Sequence, residues 1–391
     1  MNTPRRSLRV GPFREGAFPS PLHSRRNASW LGIALGVSFS VCFVTGLLSH
    51  LVQYPPTWFE WPSRPAGLYR VTQGLHVATG IASIPLLLAK LWTVYPRLWI
   101  WPPVRNLVHL LERVSIVPLV GGSLFLLFTG VASIARWHPW AFSFPPAHYA
   151  AAWITFGALV IHVGATLPVV RESLSRNDVE VVAERSGRRP SHTLSRRGFL
   201  GAVAAAVGVL SLSTLGQTVR PLAWLGVLAP RDPRTGPQGV PVNRTAGVAG
   251  VVEAATSPSY RLRVTGAVQR ALSLSVEELR ALPLREAVLP IACVDGWSAS
   301  ARWRGVSVPD LLAMTGAPEG AEVEIRSLQG QDAAYSSSIL NRSHASDADT
   351  LLALDLNGEP LHLDHGYPVR LIGPNRPGVM QTKWVAEVVV R

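Results

Sequence analysis

Cysteine is almost missing: Cys42 and Cys293 are the only two in 391 residues. That scarcity excludes a disulfide framework, and without a C-x-x-C-H stretch there is no c-type haem attachment. Charge is scarce as well, at 16% against 48% hydrophobic residues, a balance that leans toward a membrane protein. The net charge of +13 is not spread evenly. From Arg220 onward 17 basic and 17 acidic residues cancel, while the 20 basic and 7 acidic residues before it carry the whole excess. A basic excess confined to the apolar half fits membrane topology rather than nucleic-acid binding.

What is present in that half is a series of apolar runs. Trp30–Leu51, Val71–Tyr95, Val114–Ala135 and Tyr149–Val170 each approach the ~20 residues that cross a bilayer. Gly198–Gly216 is a fifth, and a buried core helix is its alternative reading. Trp58, Trp61, Trp92, Trp99, Trp101, Trp137 and Trp140 gather at the ends of the runs, as aromatic residues do at membrane interfaces. Arginine sets the orientation. The tail before Trp30 has six arginines and one acid; the second loop has Arg97, Arg105 and Arg113; the fourth has Arg171, Arg176, Arg185, Arg188, Arg189, Arg196 and Arg197. The positive-inside rule then puts the N-terminus in the cytoplasm and everything after the fifth run on the outer face.

The fifth run starts "SRRGFLG". It resembles a twin-arginine export signal, with Ser195, Arg196, Arg197, Phe199 and Leu200 matching and Gly201 in place of a lysine. It lacks a clear A-x-A site and reads as an uncleaved anchor. The resemblance implies export of a domain that has already folded around a cofactor. The expected division is a basic tail over 1–29, a four-helix membrane domain over 30–170, an Arg-rich linker over 171–197, an anchor over 198–216, a linker over 217–241 and a catalytic domain over 242–391.

The exported part alternates short segments. "YRLRVTGAV", "AEVEIRSL" and "WVAEVVV" read as strands, the first with a turn at Gly266. "SVEELRALP" reads as a helix capped by Ser275 with Glu278 at the capping-box position, and "VPDLLAMTG" as another. This predicts an α+β domain. Cys293 ends an apolar strand and enters a loop with Asp295, Gly296 and Ser298. A free cysteine often packs as a small hydrophobe. A thiolate on a loop is also a good ligand for a soft, high-valent metal.

The stretch "CVDGWS" followed by "WRGV" and "LL", with the ending "NGEPLHLDHGYPVRLIGPNRPGVMQTKW", resembles the sulfite oxidase family of molybdopterin-binding oxidoreductases over about Val242 to Arg391. The resemblance implies that Cys293 coordinates molybdenum and that a pterin dithiolene with a phosphate tail lies beside it. It implies cofactor-binding roles for Asn243, Arg244, Trp297, Ser298, His365, Arg370, Asn375, Arg376 and Lys383, residue types that supply N–H donors or fixed cations to a buried phosphate. Tyr335 in "QDAAYSSS" joins Cys293 as a catalytic candidate. Animal-type members carry C-x-G-N-R-R where this chain has "CVDGWS", and continue into a dimerisation domain. Both differences look more like the bacterial periplasmic branch, which includes the protein-methionine-sulfoxide reductase catalytic subunit, served by a separate haem-b membrane partner. The fold class expected is therefore multi-domain: an all-α transmembrane bundle of four spans plus one anchor, with a cytochrome b-like role, followed by an α+β molybdopterin domain.

Histidines inside spans are rare and usually functional. His50, His76, His148 and His162 lie in or at the ends of spans and are the haem-ligand candidates. His148 and His162 are 14 residues apart, about 21 Å and nearly four helical turns, so they share a face. An outer haem can be built from His76 with His148 or with His50. Histidines hydrogen-bonded inside a helix bundle are the alternative. The sequence reading is a membrane-anchored molybdoenzyme that exchanges electrons with the quinone pool through one or two b-type haems and reduces a sulfoxide or other S- or N-oxide. Oxidation of sulfite or a related oxyanion is the second reading. A non-catalytic scaffold is a third, which the retained Cys293 opposes.

Overall fold

The structure is a computed structural model that describes residues 11, 17, 18, 20–99, 104, 106–175, 194–229 and 232–391. Arg5, Arg6, Arg9, Arg14, Trp101, Arg105, Arg176, Arg185, Arg188, Arg189 and His192 lie outside the described residues. The chain divides into two compact units, Met1–Val44 with His76–Leu212 and Thr45–Leu75 with Ser213–Arg391.

The helices are α1 (Arg25–Gln53), α2 (Leu68–Val94), α3 (Leu107–Ile134), α4 (Phe144–Ser175) and α5 (Arg196–Leu215). Among the described residues five helices are long and apolar enough to cross a membrane. The first four extend past their apolar runs, because polar flanks continue the helix until a cap or breaker stops it. Asn106 caps α3 by accepting from His109 N at 2.8 Å, so α3 starts seven residues before Val114. Phe144 opens α4 with two prolines in its first turn, where their missing N–H groups have no helical partner to lose.

Inside the first unit the helices meet through small and hydroxyl residues, the rule where lipid competes for apolar surface. Ser83 Oγ donates to Ser38 Oγ at 3.0 Å between α1 and α2. Ser29 and Ser173 share a hydrogen bond of 2.7 Å between α1 and α4. A side chain at Gly122 of α3 would collide with Thr155 of α4.

The second unit carries two five-stranded sheets. The strands are β1 (Leu262–Gly266), β2 (Leu272–Leu274), β3 (Leu284–Ala292), β4 (Ser298–Ser307), β5 (Val323–Ser327), β6 (Ser337–Leu340), β7 (Leu351–Leu356), β8 (Glu359–Pro360), β9 (Arg370–Ile372) and β10 (Val385–Val390). One sheet runs β2-β1-β10-β5-β6; the other runs β3-β4-β7-β8, with β9 also on β7. The expected short helices are present. Ser275 closes a full capping box with Glu278 ahead of Val276–Ala281. Val308–Thr315 ends at left-handed Gly316. Every residue of β7 is buried, since it is central in its sheet with the core on both faces. One apolar core joins Leu262, Val264, Ile325 and Val388 to Leu311 and Leu352. A second joins Leu289, Ile291, Trp303, Leu356 and Ile372 to Cys293 and Trp297. The site sits on this second core.

The α1–α2 loop and the helix ends beside it group with the C-terminal unit. The reason is polar. Arg64 pairs with Asp347 at 2.9 Å and Asp349 at 2.5 Å, Ser63 N donates to Ser343 Oγ at 2.9 Å, and Trp61 O accepts from Asn341 Nδ2 at 3.0 Å. Trp61, expected at the membrane interface, instead donates Nε1–H to Asn375 O at 2.9 Å.

Candidate active site

Cys293 follows the last residue of β3 and is 4% exposed. Its loop is a tight turn back into β4. Cys293 N donates to Trp297 O at 2.9 Å and Gly296 N to Cys293 O at 3.1 Å. Gly296 holds φ at +95°, a conformation that a side chain would strain. On the other side Gly378 comes close: a Cβ there would stand 3.1 Å from Ala292 O. The thiol Sγ accepts from Asn243 Nδ2 at 2.9 Å and from Asp295 N at 3.4 Å. Asn243 Nδ2 also donates to Asp295 Oδ2 at 3.1 Å. Burial, and then the Asp295 carboxylate, push the Cys293 thiol well above its ordinary range. A bound metal cation reverses that balance and takes the thiolate. Among the described residues no group of three His, Cys, Asp or Glu gathers to hold a metal ion. A metal on Cys293 would therefore take its other ligands from a cofactor.

A cationic cluster lies on the same core. Arg370 is buried, lies 5.3 Å from the centre of the Trp303 ring and donates Nη1–H to His365 O at 3.1 Å. Lys383 Nζ donates to Arg244 O at 2.5 Å and to Asp364 O at 3.0 Å. His365 Nε2 donates to Pro237 O at 2.7 Å. Burial, reinforced by Arg370, pushes Lys383 down to about 7, and burial pushes Arg370 down to about 9. Burial with Arg370 also takes His365 down to about 4. Buried cations held mainly by carbonyls are costly unless an anion joins them. Around this set Trp297 Nε1, Ser298 Oγ, Arg244 Nε and Arg370 Nε are buried with no partner among the described residues. Unpartnered donors and surplus cations are what a pterin with a phosphate tail would satisfy, so Asn243, Arg244, Cys293, Trp297, Ser298, His365, Arg370 and Lys383 fit the group.

Two expected members are placed differently. All four polar groups of Asn375 face the α1–α2 segment. Oδ1 accepts from Tyr69 N at 2.6 Å, Nδ2 donates to Pro62 O at 2.7 Å, its N donates to Ala66 O at 3.0 Å and its O accepts from Trp61. Arg376 gives its two terminal nitrogens to Ile339 O at 3.1 Å and Met380 O at 3.0 Å. Asn375 thus ties the loop, while Arg376, like Arg370, keeps a buried Nε with no partner among the described residues.

Tyr335 occupies a left-handed turn at φ +65° and is 53% exposed. Burial of its ring edge, then Tyr54, Cys293 and Asp295, push its hydroxyl above the ordinary range. Tyr54, Tyr69, Gln73, Gln217 and Thr218 are residues that sequence reasoning missed. Tyr69 is buried against Ala292 and bonds Ser49 at 2.9 Å. Tyr54 opens the proline- and aromatic-rich "YPPTWFEWPSRP", which has the composition of a membrane interface, and the other four carry no local signal.

In the first unit His76 and His148 come together, with ring centres 6.3 Å apart. His76 Nδ1 donates to Cys42 O at 2.8 Å. His148 Nδ1 shares a hydrogen bond of 2.8 Å with Thr129 Oγ1. Each ring is thus oriented through Nδ1, leaving Nε2 for a ligand, the usual arrangement of metal-binding histidine. The gap suits one metal between two rings, since imidazole nitrogen bonds such metals at about 2.0–2.1 Å. These two rings would hold the haem expected from the sequence. His50 packs against Tyr54 at 5.1 Å between ring centres. His162 is half-buried further along α4.

Comparison with known proteins matches residues 249–391 to the oxidoreductase molybdopterin binding domain. Sulfite oxidase of Gallus gallus is 35% identical over 166 residues, covering 36% of this chain and 36% of that protein. Mitochondrial sulfite oxidase of Homo sapiens is 33% identical over 160 residues, covering 34% and 29%. A putative protein-methionine-sulfoxide reductase subunit, YedZ1, of Azospira oryzae is 31% identical over 132 residues, covering 34% and 49%. The chain spans less than half the length of each of these relatives.

Proposed function

Since residues 249–391 form an oxidoreductase domain of the sulfite oxidase family, we propose that the chain is a membrane-anchored molybdenum enzyme that reduces a sulfoxide or another S- or N-oxide. In the overall change a sulfoxide takes up two electrons and two protons, its sulfur–oxygen bond breaks, and a sulfide and water leave. Electrons come from the quinone pool through a b-type haem on His76 and His148. When bound, the molybdenum cofactor supplies the two-electron oxygen-atom chemistry, and the haem supplies one-electron carriage.

The chain's own residues hold and shape this site. Cys293 is the metal ligand, with Asn243 donating to its sulfur. Arg244, Arg370 and Lys383 neutralise the cofactor's phosphate, and His365 fixes the strand end beside them. Tyr335 and Tyr54 stand where substrate enters. The topology read from arginine, with the twin-arginine-type α5 as anchor, places the catalytic domain on the outer face.

The observation that carries the reading is Cys293 at the end of β3, beside unpartnered donors and surplus buried cations. The residues just after the cysteine favour an oxide. Where the animal-type pattern has two arginines, this chain has Trp297 and Ser298, both buried. A sulfite anion meets no cation from that stretch, while a neutral sulfoxide needs none. Oxidation of sulfite is the second reading, favoured by the names of the sulfite oxidase relatives.

One experiment tests both readings. Protein purified in detergent is assayed for molybdenum and haem, and the haem spectrum is followed. In reduced protein a sulfoxide should reoxidise the haem. Reduction of oxidised haem by sulfite would instead establish the second reading. No metal, and no spectral response to either compound, would leave a scaffold.

A further inference from the structure

The loop bearing Cys293 is held from outside by main-chain bonds that its own chemistry does not require. Gln73, in the second turn of α2, donates Nε2–H to Val294 O at 2.7 Å. Thr218, just past α5, donates its hydroxyl to Gly296 O at 2.6 Å. Ser298 N donates to Gln217 O at 2.8 Å. The two holds touch each other, since a Cβ on Gly74 would stand 3.0 Å from Thr218 Cγ2. Carbonyls on both sides of Asp295 are therefore pinned by the ends of two long apolar helices.

Gln73 is 6% exposed, and its Oε1 is buried without a partner among the described residues. A half-satisfied buried amide costs about 1–3 kcal/mol. A leucine there would pack without that cost, so stability alone does not account for the residue. What the amide does provide is its one bond, to the residue next to Cys293.

We propose that Gln73 and Thr218 are positioning residues that fix the aim of the Cys293 sulfur. The link from Cys293 through Val294 O to the Gln73 amide is covalent or hydrogen-bonded at every step. The inference rests on the reading of Cys293 given under the proposed function.

The test uses the full chain carrying Gln73→Glu or Thr218→Val. In Gln73→Glu the new carboxyl can donate to Val294 O while protonated; once ionised it cannot, and it repels that carbonyl. Gln73→Glu should therefore show a Mo(V) electron paramagnetic resonance signal that shifts from the wild-type form in acid to an altered form in base. Haem reoxidation by a sulfoxide should slow along the same titration. Wild type, with a neutral amide, should show no such transition. In cofactor-free protein both variants should exchange the amides of residues 293–298 about tenfold faster, the factor set by one net hydrogen bond. Wild-type exchange rates and a pH-independent, wild-type Mo(V) signal in both variants would overturn the inference. Wild type purified without molybdenum or haem would overturn the underlying reading instead.

Discussion

At the scale of single residues, the proposed function turns on Cys293. Cys293→Ser replaces a soft sulfur by a hard oxygen of nearly the same shape. The loop bonds through main chain, so the fold should persist while molybdenum content and oxide reduction fall to background. Retained turnover would remove Cys293 from the metal. Lys383 makes a second prediction through pH. Its folded pKa of about 7 lies below the ordinary 10.5, so between these values the unfolded chain binds more protons and stability must rise with pH. Cofactor-free protein should melt at a higher temperature at pH 9 than at pH 7, and Lys383→Met should flatten the rise. A bound phosphate restores the charge and removes the dependence, so cofactor-loaded wild type should be flat over the same window. Cys293 and the cations were legible in the sequence because motif order fixes which side chains a strand end can present. Asn375 was legible only as a polar residue on a loop. Nothing local says that its amide faces Tyr69 and Pro62, because those partners are more than three hundred residues away in the chain.

The elements show the same division. Helices and strands with strong local signals fall where expected: the Ser275 capping box, Gly316 at a helix end, and the alternating β5 and β10. Span ends do not, since hydropathy measures the apolar stretch and not the cap that stops the helix, as Asn106 does for α3. The α1–α2 loop was the least legible element. Its aromatic residues suit a membrane interface and a protein interface equally, and the two are separated by its bonds to Asn375, Ser343 and Asn341 and by the Arg64 pairing with Asp347 and Asp349. This loop yields the third prediction. Asn375 sits at φ +53°, so Asn375→Gly removes its side chain without adding backbone strain. The buried Tyr69 N–H is left unbonded, at about 1–3 kcal/mol, and Pro62 O also loses its partner. Melting temperature should fall and proteolysis within residues 54–67 should accelerate. Arg64→Ala, removing exposed pairs worth about 0–1 kcal/mol, should do much less. Equal effects from both would make the loop an electrostatic latch instead.

At the scale of the whole molecule, the proposed function requires a membrane bundle to feed a catalytic domain encoded in the same chain. The sequence offered four histidines and several pairings, because spacing along one helix says nothing of which helix lies opposite. The structure brings His76 to His148, each oriented through Nδ1. If the two hold a haem, replacing either by alanine would remove one of its protein ligands, and the protein ligands of a haem set its retention and potential. His76→Ala and His148→Ala should both lose b-type haem by pyridine haemochromogen assay, while the molybdenum content of the same preparations stays at the wild-type level. Artificial donors that reach the catalytic domain directly should still drive sulfoxide reduction in both variants. Turnover driven by a quinol should collapse, because the carrier between quinol and molybdenum is gone. His162→Ala separates one haem from two. With a single haem on His76 and His148 it should keep both activities and the full haem complement; with a second haem it should lose half the haem and the quinol-driven rate. Quinol-driven turnover that survives in His76→Ala and His148→Ala would show that the bundle is an anchor and that electrons reach Cys293 by another route.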